Sequence, residues 1–116
     1  MNTQFPLPKA YVTKDGSLIR ELVHPLFAPG LGMSLAEAVV EAGAETEAHF
    51  HTSFDEIYYC LEGAGVLHVN GEPLPFSPGA YHLMSKGTVH FLTATTRLRV
   101  LCVCCPAYSH EETIMV

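Results

Sequence analysis

Apolar residues fall along this chain in short bursts, each closed by turn residues. The bursts are "SLIRELVHP", "MSLAEAVVEAG", "EIYYCLEG", "GVLHVNG", "AYHLMSKG", "VHFLTATT" and "LRVLCVCCP". Each has strand length, and many are rich in Val, Leu, Tyr and Thr, residues that suit a pleated, half-buried surface. Between them stand "EGAG", "SPGA" and the Asn70-Gly71 pair, the last a strong signal for a two-residue hairpin. Regular spacing of runs and turns predicts an all-β sandwich or barrel. "GLGMSLAEAVVEAGAE" has helix-like Ala and Glu content, but Gly43 follows so soon that a helix would be short. A strand over Ser34 to Glu41 is expected instead.

With 116 residues the chain fits one domain spanning 1–116. Hydrophobic residues make up 48 % and charged residues only 16 %, enough apolar material for a core and too little charge for long disorder. Six basic residues and a net charge of -6 argue against nucleic-acid or anionic-membrane partners. The opening "MNTQFPLPKAYVTKDG" carries no apolar h-region, and no run is long enough to span a membrane, so a cytoplasmic location is expected. The four cysteines then read as reduced thiols, with Cys102, Cys104 and Cys105 as small apolar packing. A metal site on that cluster is the weaker reading, because no matching second cluster exists.

Candidate chemistry concentrates in "HFHTSFDEIYYCLEG". In a strand His49 and His51 project to one face, with Cα atoms about 6.6 Å apart, while Phe50 turns the other way. Thr52 to Asp55 can form a turn, and Glu56 then opens the next strand opposite the histidines. Two imidazoles and a carboxylate suit a divalent transition metal. A fourth ligand remains to be chosen among His24, His68, His82, His90 and His110. His90 stands out, since it follows the turn "SKG" and begins another apolar run.

Gly43, five residues, His49, one residue, His51, four residues, Glu56, six residues and Gly63 reproduce the first signature motif of the cupin superfamily. The second motif resembles the series Gly79, Ser85, Gly87, His90, Ala94, with Ser85 where the family usually has Pro, Ala94 where it has Asn, and Ala80 where an acidic residue often stands. The resemblance to a small single-domain, metal-binding cupin covers residues 43 to 94. It implies a cupin β-barrel, a jelly roll of two antiparallel sheets. It also implies a metal held by His49, His51, Glu56 and His90. These ligands accept Fe, Mn, Ni, Co, Cu or Zn and leave one or two coordination positions open.

Tyr58, Cys60 and Glu62 share the face of Glu56, which makes Tyr58 a candidate catalytic proton donor, or else a residue filling the barrel mouth. His82 is a candidate neighbour of the site if its face points inward, and otherwise a packing residue, as is His68. Glu45 and Glu47 are expected in solvent. The tail "CCPAYSHEETIMV" can fold over the mouth and line the pocket, remain solvated, or pack on a second subunit. Arg97 and Arg99 alternate with apolar residues and are expected to face outward, which disfavours a phosphosugar or dicarboxylate substrate. The expected function is a metal-dependent enzyme acting on a small organic substrate that chelates the metal, of dioxygenase, decarboxylase, isomerase or cyclase type. The alternative is a non-catalytic metal- or small-molecule-binding module. Small cupins typically pair, so a homodimer is expected.

Overall fold

The inner face of one long strand sets the character of each end of the barrel. In the computed structural model, which describes residues 9–116, Leu98–Cys105 forms that strand, and its inward residues run Leu98, Val100, Cys102, Cys104. Leu98 and Val100 are fully buried among aliphatic neighbours, whereas Cys102 and Cys104 face a cavity. One end of the interior is therefore a dry core and the other a polar pocket.

Eleven strands occur in chain order, and no helix is present among the described residues. They are β1 (Tyr11–Val12), β2 (Leu18–Val23), β3 (Ser34–Val40), β4 (His49–His51), β5 (Asp55–Glu62), β6 (Gly65–Val69), β7 (Glu72–Phe76), β8 (Tyr81–Met84), β9 (His90–Ala94), β10 (Leu98–Cys105) and β11 (Thr113–Met115). A six-stranded sheet has the order β1-β2-β3-β10-β5-β8, and a five-stranded sheet the order β11-β4-β9-β6-β7. All pairings are antiparallel. This is the expected jelly roll, and β3 is the strand expected over Ser34 to Glu41. Among the described residues no helix is long and apolar enough to cross a membrane. Residues 1–8, part of the stretch read for a leader, lie outside the described residues.

Local chemistry explains the turns. Asn70 and Gly71 have φ of 48° and 83°, the paired positive values that a two-residue hairpin between β6 and β7 requires. Gly63 closes β5 with φ of +88°, and a Cβ there would lie 2.1 Å from the Arg97 carbonyl oxygen, so no other residue fits. Strand β7 is the second arm of the hairpin that Asn70-Gly71 signals, although no apolar run of its own marks it. Its Pro73 and Pro75 weaken the strand signal, but β7 is a sheet edge paired only with β6, where a missing N–H is harmless.

Packing between the sheets is closed by Leu67, Leu92, Leu98, Val100, Phe76 and Met84, each at most 2 % exposed. Each such side chain contributes about 1.5–3 kcal/mol on burial. The register carries this order into the pocket: Val100 pairs with Cys60, Cys102 with Tyr58, and Cys104 with Glu56.

Candidate metal centre

Strand β4 is only three residues long, and its alternation turns His49 and His51 inward, each 3 % exposed. Phe50 faces the other way, as expected. Glu56 enters from β5 after the short turn, and His90 from the start of β9, where it pairs directly with His49. Glu56 is 5 % exposed and His90 is fully buried. One donor atom from each of the four residues lies within 4.8 Å of the others. A single ion with bonds of about 2.0–2.2 Å spans such a group after small side-chain shifts.

Hydrogen bonds define which nitrogen of each ring faces the centre. His49 Nδ1 is 2.8 Å from the Glu47 carbonyl oxygen, and His90 Nδ1 is 2.9 Å from that of Thr88. A carbonyl only accepts, so both rings donate from Nδ1. His51 Nδ1 lies 3.0 Å from Thr113 Oγ1, and that hydroxyl spends its own proton on the Ser109 carbonyl at 2.9 Å. The hydroxyl therefore accepts from His51, and the third ring also donates from Nδ1. Each neutral ring then presents an Nε2 lone pair inward.

Glu56 is held from behind. Its Oε2 accepts the Cys104 thiol at 3.4 Å, while Oε1 lies 2.9 Å from His51 Nε2 and 3.3 Å from His90 Nε2. Burial alone would raise its carboxyl; hydrogen bonds and positive charge from the His51 and His90 Nε2 side outweigh burial and lower it to about 2, so the carboxylate stays ionised by virtue of positive charge placed between it and the rings. Burial also pushes His49 down, which favours its neutral form. Buried His90 Nε2 has no hydrogen-bond partner. With all three rings neutral, their Nε2 lone pairs converge on a carboxylate, an arrangement that needs a proton or a cation between the groups. The donor set thus fits a transition-metal ion.

Around the group opens a cavity connected to solvent. Tyr58 lines it, with its ring edge-on to His90 at a centroid distance of 5.5 Å. Burial pushes the Tyr58 phenol well above its usual value, so it remains an O–H donor. The same cause, burial first and the Glu56 charge second, raises the Cys102 and Cys104 thiols. They are inert as nucleophiles and buried as expected, Cys102 within the hydrophobic core cluster, and both also line the cavity.

Of the other histidines, His82 occupies the register position opposite Tyr58 at the sheet edge and does not line the cavity. His68 stacks on Phe91 at 4.1 Å. His24 donates from Nε2 to the Tyr108 carbonyl at 2.9 Å, since its Nδ1 accepts the Leu26 N–H. Glu45 and Glu47 are exposed, as expected. The tail does fold over the mouth: Tyr108 and Thr113 line the cavity, and β11 pairs with β4. Arg99 bonds Glu37 and Glu62 outside the cavity, and Arg97 bonds Glu41. No lysine or arginine is among the described residues lining the cavity.

Sequence reasoning missed Asp15. It sits in the tight turn between β1 and β2, 8 % exposed, with Oδ2 3.8 Å from His49 Nε2. No local spacing signals it, because the contact spans the gap between the first turn and β4.

Residues 36–104 match the Cupin_2 family, whose description is cupin domain. This chain is a cupin. It is 40 % identical over 115 residues to an uncharacterised protein of Methanocaldococcus jannaschii, covering 97 % of this chain and 92 % of that protein. It is 35 % identical over 86 residues to an L-ectoine synthase of Oceanobacillus iheyensis, covering 72 % of this cupin and 66 % of the synthase. The chain thus spans about two thirds of the length of that relative. Among solved structures, a predicted oxalate decarboxylase of Thermotoga maritima superposes with a TM-score of 0.75 at 26 % identity, covering 86 % of this chain and 92 % of that one.

Proposed function

We propose that this cupin is a metal-dependent enzyme acting on a small organic substrate that chelates the metal. His49, His51, Glu56 and His90 would hold the ion through three Nε2 atoms and one carboxylate oxygen. The observation that carries this reading is the convergence of four donor residues, with His49, His51 and Glu56 lining an open cavity and the orphaned His90 Nε2 buried behind them. When bound, a divalent ion supplies Lewis-acid or redox chemistry at positions the protein leaves open.

The chain's own groups divide the remaining work. Tyr58 holds a proton beside the site and can deliver it to a substrate oxygen as charge develops there. Cys104 fixes the outer oxygen of Glu56 and so aims the inner one. Phe54, stacked on His51 at 4.3 Å, and Tyr108 shield that ring from water. Similarity to an L-ectoine synthase and to a predicted oxalate decarboxylase supports chemistry of cyclase or decarboxylase type on a small molecule.

Metal analysis of protein purified without added metal tests this reading, with His51→Ala as control. About one transition-metal ion per chain is expected in the natural protein and a large loss in the variant. Equal, negligible content in both would overturn it. Loaded protein that binds small chelating acids without ever forming product would instead identify a non-catalytic binding module.

A further inference from the structure

Asp15 stands in the turn between β1 and β2, yet it is only 8 % exposed and lines the cavity. Three hydrogen bonds fix it. Its Oδ1 accepts the Ser17 backbone N–H at 2.9 Å and the Ser17 hydroxyl at 2.6 Å, and its backbone carbonyl accepts the Glu47 N–H at 2.8 Å. Glu47 acts in both directions, because its own carbonyl accepts the Nδ1 hydrogen of His49 at 2.8 Å. The backbone of a single residue thus sets the position of Asp15 and the rotation of the His49 ring together.

A fixed gap results. Asp15 Oδ2 lies 3.8 Å from His49 Nε2, beyond hydrogen-bond length. Neither atom brings a proton, since the ring donates from Nδ1 and a carboxylate oxygen only accepts. Oδ1 is occupied by Ser17, and no protein donor reaches Oδ2 among the described residues. Nor does Asp15 belong to the four residues whose donor atoms gather within 4.8 Å of one another. It stands beside that group, with an unmet acceptor turned toward the space next to His49. A hydrogen carried by whatever binds there would satisfy it.

We infer that Asp15 Oδ2 accepts the hydroxyl hydrogen of a small ligand whose hydroxyl oxygen reaches the His49–His51–Glu56–His90 group. Asp15 is then a specificity-determining residue. The substrate class is an α-hydroxy acid, or a similar small molecule with an alcohol beside a second oxygen, in preference to the matching ketone. A ketone oxygen carries no hydrogen and would face Oδ2 as acceptor against acceptor. This inference rests on the metal reading of the four residues and adds to it how a ligand is chosen.

Calorimetric titration of zinc-loaded protein with pyruvate and with each enantiomer of lactate tests it. These acids share carbon skeleton, charge and carboxylate, and differ in a carbonyl against a hydroxyl. The tighter lactate enantiomer should bind about tenfold or more tightly than pyruvate, after division by the preference that aqueous zinc shows between them. Asp15→Asn gives a second, opposite expectation. The Ser17 N–H can only donate, so the amide oxygen stays on that side and the amide nitrogen takes the place of Oδ2. An acceptor becomes a donor, and the order should reverse in favour of pyruvate. A corrected ratio near one, a preference for pyruvate in the natural protein, binding of neither acid at millimolar concentration, or a lactate margin that survives in the variant would overturn the assignment. If circular dichroism shows the variant unfolded, the ratio in the natural protein alone decides.

Zinc uptake, measured first, separates this inference from the reading beneath it. A natural protein that takes up no zinc loses the metal reading and the ligand preference together. One that loads zinc normally and binds both acids alike loses only the role assigned to Asp15.

Discussion

Thr113 Oγ1 accepts the Nδ1 hydrogen of His51 at 3.0 Å, across 62 positions of sequence. Because the same hydroxyl donates to the Ser109 carbonyl, it cannot also donate to His51, and the ring is locked with its Nε2 lone pair inward. Thr113→Val keeps the shape and removes the lock. It should weaken zinc affinity about 10- to 100-fold in a chelator competition, and Thr113→Ser should restore it. Imidazole nitrogen shifts of His51 should show the other tautomer gaining population in the valine variant. Unchanged affinity and unchanged shifts would show the contact to be incidental.

Tyr58 faces the cavity with a phenol held protonated by burial. Tyr58→Phe should leave metal content intact and shift stability by no more than about 1 kcal/mol. Turnover of the substrate, once identified, should fall about 100-fold if the phenol supplies a proton in the rate-limiting step. A variant with full turnover would reduce Tyr58 to a space-filling ring.

Burial raises the Glu21 carboxyl above its ordinary value, and the Tyr11 hydrogen bond and nearby His24 and His110 only partly oppose it. The folded chain thus keeps this proton to higher pH than the unfolded chain does. Stability contributed at Glu21 is present below the ordinary carboxylate range and is lost as pH rises from there through the raised folded value. Glu21→Gln should accordingly raise the thermal midpoint at neutral pH by a few degrees, and the gain should vanish in acid. A gain that is the same at every pH would contradict this origin.

Strands β5 and β8 carry an apolar outer face on which Ile57 pairs with Leu83 and Tyr59 with Tyr81. These four are 40 %, 57 %, 43 % and 74 % exposed, respectively. A second copy of the chain meeting this face about a twofold axis would bury like against like, the arrangement expected of a homodimer. Light scattering should report a dimer, and the Tyr81→Lys, Leu83→Lys double variant a monomer. A natural protein that is already monomeric at micromolar concentration would remove the interface.

Much of the barrel is legible in the sequence because its strands alternate. β5 buries Glu56, Tyr58 and Cys60 and exposes Ile57 and Tyr59, a period of two that can be read directly from residue types. The convergent group is equally legible, since His49, His51 and Glu56 stand on one strand-turn-strand unit and His90 starts the strand that pairs with His49. The strands β1 and β11 are not, being two and three residues long and defined by their partners rather than by any pattern of their own. Asp15 and Thr113 were invisible for a related reason. A lone Asp in a turn and a lone Thr in a tail carry no period, and only tertiary contacts bring them to His49 and His51. The thiols of Cys102 and Cys104 read as packing because burial is what their residue type usually reports, and the sequence holds no sign that β10 leaves the core halfway along.

The segment 36–104 supplies all four convergent donor residues, whereas Asp15, Glu21, Tyr108 and Thr113 come from the flanks on either side of it. The middle thus carries the buried donor group, and the two flanks line the cavity beside it. Grafting different flanks onto the same middle would redirect such a barrel to new molecules without rebuilding its floor.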